Sequence, residues 1–241
     1  MFSFLRDKEK WRNIREREEY APLRDMLTAQ YNEVCRDKAI EVIPFSIWFT
    51  FFETGSRREF EKLYFNRRIQ LTMCAIMAMI YPENKEYIEK LQDIICTICE
   101  EHSWCLPAHV PCDRINDRTN IDLFAAETGL YLAEIKYMLY DRLSPLVTER
   151  MGEEIDRRIV RSVKNRTFFF ETVKSNWAAV CGGSVGVTLL YENPDVYTEV
   201  KSRIEKCMEN YLEGIPEDGS CSEGFAYWKY GFGFFLIYND M

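Results

Sequence analysis

The strongest constraint in this sequence is its period. Long runs repeat apolar residues at helical spacing, and none repeats them convincingly at the strand period of two. Between Arg57 and Ile80 the residues Phe60, Leu63, Tyr64, Ile69, Met73, Ile76, Met77 and Ile80 recur at helical spacing. Lys85–Glu101 follows, with Tyr87, Ile88, Leu91, Ile94, Ile95 and Ile98 on one side and charges on the other. Ile121–Leu143 is apolar around most of its circumference, as an inner helix is, whereas Thr148–Ser162 is charged with a stripe of Met151, Ile155 and Ile159. A second buried run begins at Ser175, an amphipathic one spans Val196–Glu213, and Phe225–Tyr238 is apolar and aromatic. Buried helices alternating with amphipathic ones predict an all-α fold of stacked helical hairpins, read as a single helical domain over residues 1–241.

The joints are less regular. The first forty residues read as charged helices with Pro22 at a junction. Glu41–Phe52, the most aromatic window, contains Pro44 and suits either an extended segment or a short helix after the proline; Thr54–Gly55 breaks it. Ser103–Asn120 carries Pro107 and Pro111 and is irregular. At roughly 18 residues it exceeds the usual helix connection, and loops of that length often carry function.

Composition excludes several classes. Hydrophobic content of 47% with 15% aromatics is incompatible with disorder. A net charge of −8 argues against general nucleic-acid binding, which needs clustered Lys and Arg. The amino terminus turns charged at once, unlike a secretory leader, and no apolar run is long enough for a membrane span. Nine cysteines outside a small secreted framework point to reduced thiols and a cytoplasmic setting, with no membrane partner.

Cys96, Cys99, His102, Cys105, His109 and Cys112 have ligand types that suit zinc. The first pair, however, lies within an amphipathic helical run that accounts for both as core, so neither a metal nor a cofactor is expected. No nucleophile elbow or phosphate loop occurs. Glu127, Asp218 and Glu223 could supply paired carboxylates for glycoside hydrolysis, with the pairing left open. Polar and aromatic residues gather at three loop-to-helix boundaries: Trp104 to His109, Asn176-Trp177, and Glu223 to Tyr230. Aromatic and amide groups meeting in one cavity would suit a sugar chain. In Ser175–Gly186, the glycines Gly182, Gly183 and Gly186 read as close packing, since each costs roughly 0.5–1 kcal/mol in a helix interior without a compensating contact.

Three segments in series resemble the amino-terminal helical part of the heparinase II/III-like polysaccharide lyases. They are FTFFETGSRREFEKLYFNRR with ICEEHSWCLPAH, then IDLFAAETGLYLAE, then SNWAAVCGGSVG with PEDGSCSEGFAYWKYG. The resemblance implies an incomplete α/α toroid and β-elimination on glycans containing uronic acid. It implies that Asn176 neutralises the uronate carboxylate and that Tyr227, with Tyr230 as the fallback, transfers the proton. Trp104, His109, Trp177, Glu223 and Trp228 are implied as substrate-binding support. An anionic polysaccharide or oligosaccharide is the implied partner. Two departures stand out: Ser175 replaces the first of the family's two asparagines, and the β-sandwich domain that supplies a catalytic histidine is absent. The expectation is therefore a truncated toroid domain, impaired alone, whose missing half is supplied in cis or as a separate chain.

Overall fold

A computed structural model of the chain describes residues 3–115, 117–221 and 224–241. It is all-helical, with no strand among the described residues. The helices are α1 (Lys8–Glu16), α2 (Ala21–Val34), α3 (Phe45–Thr54), α4 (Arg58–Ile80), α5 (Lys85–Cys99), α6 (Leu123–Leu139), α7 (Pro145–Ile155), α8 (Arg161–Asn165), α9 (Asn176–Glu192), α10 (Pro194–Glu213) and α11 (Phe225–Asn239). The chain divides into two compact units, with divisions after His102, within α6 and within α7. Among the described residues, one unit comprises residues 3–102 and 135–151 and the other residues 103–134 and 152–241.

In the first unit, Pro44 ends an extended approach and caps α3, so the Glu41–Phe52 window is a short helix after the proline. Gly55 then stops α3 with φ of 73°, a left-handed conformation that glycine adopts at no steric cost. α4 and α5 pair through Leu71, Ile80, Leu91, Ile94 and Ile98, which are almost completely buried. Ile69, expected on the apolar stripe, is 43% exposed. Arg67 and Arg68 are buried instead, and both guanidiniums grip the Glu101 carboxylate, Arg68 through both oxygens. Burying these charges is tolerable because they are paired and hydrogen-bonded.

The second unit is built around α9. Every residue from Ala178 to Leu189 is buried, and the helix packs against both α10 and α11. Its glycines make those approaches possible. A Cβ on Gly182 would lie 2.6 Å from the Cβ of Cys207 on α10, and one on Gly183 would lie 2.9 Å from the backbone oxygen of Phe234 on α11. The close-packing role expected of these glycines is what the geometry shows, and it seats the amino-terminal end of α9 deep in the unit. The run expected at Thr148–Ser162 is interrupted: a π-helical turn, Asp156–Val160, joins α7 to α8.

Candidate functional site

The site lies in the second unit, where the loop before α6 meets the beginning of α9. Asp122 stands just ahead of α6 and is fully buried. One of its oxygens accepts the Ala125 N–H at 2.8 Å, as a helix-capping carboxylate does. The other accepts the Leu106 N–H at 3.1 Å and faces Nδ1 of His109 at 2.7 Å. A carboxylate oxygen at that distance assigns an N–H to Nδ1. The imidazole is fixed further by Phe124, stacked with centroids 6.0 Å apart, and by Trp177, edge-on at 5.0 Å. The loop is pinned as well, because the Asn120 amide donates to the His109 carbonyl at 3.2 Å. Asn176, the first residue of α9, is only 3% exposed.

A second polar cluster links α6 to α11. Glu127 accepts the Tyr131 hydroxyl at 2.9 Å, one helical turn away, and the Tyr230 hydroxyl on its other oxygen. Burial raises the Glu127 carboxyl above the usual range, against the opposing pull of the Tyr230 and Tyr131 hydrogen bonds, and the Asp122 charge raises it further. Tyr230 is raised too, first by burial and then by the Glu127 carboxylate. Cys181 on α9 feels Asp122 and Glu127, and burial, the larger cause, keeps it a thiol. Tyr230 also borders a cavity of about 330 Å³ lined by Lys229, Gly233 and Phe234.

The structure therefore gathers His109 with Trp177, and Tyr230 with Glu127. Tyr227 is 51% exposed and lies outside the Glu127 cluster. Trp228 stacks between Phe225 and Phe232, at 6.0 and 5.0 Å, as part of an aromatic row on α11. Trp104, implied as substrate-binding support, is 1% exposed, with the Arg158 guanidinium 4.8 Å from its ring centre. A large ring with a cation over its face is accounted for by packing. Glu223 lies outside the described residues. The other suggested carboxylate, Asp218, is exposed and accepts the N–H of Ser220.

Sequence reasoning passed over Asp122 and Tyr131. The signal for Asp122 was available: an aspartate just before an apolar helical run is a start signal. The signal for Tyr131 was its spacing of four from Glu127, which places both on one face of α6. No protein-family model matches the chain, and no curated protein matches it.

Proposed function

We propose that this chain provides the helical, substrate-holding part of a lyase that cleaves uronate-containing glycans by β-elimination. In this reading its stacked hairpins belong to an incomplete α/α toroid. The observation that carries the proposal is the Tyr230 hydroxyl, held on the Glu127 carboxylate at the edge of a cavity that Lys229 also lines. Tyr230 rather than Tyr227 is then the proton-transferring tyrosine. A phenol with a raised pKa is a poor base by itself. Paired with a carboxylate already biased towards protonation, it can pass its own proton to Glu127 while taking the proton from carbon 5 of the uronate. The bond from carbon 4 to the leaving oxygen breaks, Tyr230 returns a proton to that oxygen, and Glu127 hands back the proton it took.

The developing enolate places extra negative charge on the uronate carboxylate, where stabilisation contributes most. Asn176 supplies an amide donor for it. Its position at the amino-terminal end of α9 adds the partial positive charge of the helix. His109, its ring set by Asp122 and Trp177, borders the same helix end. A hydrolase would need two carboxylates at the reacting bond. Of the carboxylates suggested for that role, Asp218 is exposed and engaged with Ser220, and Glu127 is held between two tyrosine hydroxyls, an arrangement that favours the elimination reading.

The test is titration of the chain with uronate oligosaccharides, followed by calorimetry and by ultraviolet absorbance of unsaturated product. Binding weakened at least tenfold by Asn176→Ala, with any product formation abolished by Tyr230→Phe and retained by Tyr227→Phe, supports the assignment. Equal affinity for uronate and neutral oligosaccharides, or product formation that survives Tyr230→Phe, contradicts it.

A further inference from the structure

The first unit contains a cleft that the elimination reading does not use. It encloses about 660 Å³ and is walled by α1, the end of α4 and the residues around the end of α6. That volume suits a small-molecule ligand. Five cations line it, Arg6, Lys8, Arg12, Arg15 and Arg142, against the three carboxylates Glu9, Glu83 and Asp141. This local excess of positive charge occurs in a chain whose net charge is −8.

Packing does not explain the arrangement. A helix laid on a protein body ordinarily turns an apolar stripe inward. Here Lys8, Arg12 and Arg15, spaced by four and three, form one stripe of α1 that lines the cleft, and α1 has no buried residue. Little in the cleft neutralises them. Lys8 meets Asp141 only at 3.8 Å with both side chains exposed, Arg15 pairs with Glu16 at 2.8 Å outside the lining, and Arg12 has no carboxylate partner among the described residues. Arg142 is fixed by carbonyls rather than carboxylates, donating to Ala78 and, at 2.9 Å, to Pro82. Its charge is thus positioned without being paired. Between the cations, Trp11, Met79 and Met138 give the cleft an apolar lining, and the Trp11 indole is set by its N–H bond to the Leu5 carbonyl at 2.8 Å.

We propose that this cleft is a separate binding site for an acidic oligosaccharide, its carboxylates or sulfates meeting the arginines and its apolar ring face lying on Trp11. The identification of the ligand rests on the glycan reading above; the cationic character of the site does not.

The experiment is isothermal titration of the whole chain with an unsulfated uronate tetrasaccharide, a sulfated uronate–hexosamine tetrasaccharide, maltotetraose, a nucleoside triphosphate and inorganic sulfate. The expected result is binding of an acidic tetrasaccharide that rising salt weakens, with none for maltotetraose. Arg12→Glu with Arg15→Glu should reduce it at least tenfold, and Trp11→Ala should reduce it less. Unchanged circular dichroism should accompany the double variant, because α1 has no buried residue. Binding untouched by Arg12→Glu/Arg15→Glu, equal binding of maltotetraose, no binding of either acidic tetrasaccharide, or tighter binding of the nucleotide or sulfate overturns the proposal. Asn176→Ala separates the two sites. If it leaves the cleft binding intact and abolishes no second binding event, the elimination reading fails while the cleft stands.

Discussion

Glu101 and Glu127 are both carboxylates withdrawn from water, and they differ in the partners the fold gives them. Glu101, in the first unit, is 6% exposed at its side chain and lies between the guanidiniums of Arg67 and Arg68. Glu127, in the second, lies between the hydroxyls of Tyr131 and Tyr230. Arginine cannot give up its proton, so the first cluster has no proton to pass along and serves as a structural tie. Phenols and a raised carboxyl can exchange protons, so the second cluster is suited to chemistry. Burial alone does not mark a functional acid; the protonation freedom of its neighbours does.

The comparison can be tested from its structural end first. Glu101→Ala leaves two buried guanidiniums without their shared anion, and loss of one side of a buried ion pair costs about 3–5 kcal/mol. Urea unfolding should show a loss of that size; a loss below about 1 kcal/mol, typical of exposed pairs, would remove the distinction.

Glu134 gives the next effect. It is partly buried on the same helix as Glu127, and burial pushes its carboxyl up to about 7. Because the folded value lies above the unfolded one, the folded chain holds the proton longer, and stability falls as pH rises from about 4.5 through about 7. The loss is at most about 3.5 kcal/mol, a pKa unit corresponding to about 1.4 kcal/mol. Glu134→Gln should flatten that part of the stability–pH curve. A wild-type curve already flat there would contradict the assignment.

The smallest effect is the most telling for the comparison. Glu127→Gln keeps an oxygen that accepts from a tyrosine and should cost only about 1 kcal/mol, the net value of a typical hydrogen bond. It should nevertheless remove any elimination activity. A loss as large as that of Glu101→Ala would make Glu127 a structural tie as well.

Much of the fold was readable because helical periodicity marks where the helices run, even where, as at Ile69 and Arg67, it misplaces the buried face. The runs from Phe60 to Ile80 and from Tyr87 to Ile98 became α4 and α5 almost residue for residue. Where a window fits two local structures, as in Glu41–Phe52, periodicity cannot choose, and Pro44 decided through its position at a helix start. The π-helical turn at Asp156–Val160 has no comparable pattern in the sequence.

The site was harder to read, because its contacts are made between elements. His109 and Asp122 are thirteen residues apart across an irregular loop. Trp104 belongs to the same polar loop, and nothing local separates a ring that walls a cleft from one that fills a core. Tyr227 and Tyr230 differ by only about 60° around α11, from the 3.6-residue turn. Which of them meets Glu127 is set by how α11 packs on α9, through Gly183 and Gly186.

The central claim is that Tyr230, held by Glu127, is the tyrosine that meets the uronate. It is tested most directly by carbon-13 tyrosine NMR of the chain during titration with a uronate oligosaccharide, with signals assigned from Tyr230→Phe and Tyr227→Phe. The account predicts that the Tyr230 ring signal moves on addition of the uronate, that Tyr227 stays in place, and that Asn176→Ala suppresses the movement. Displacement of Tyr227 with Tyr230 unmoved would contradict it.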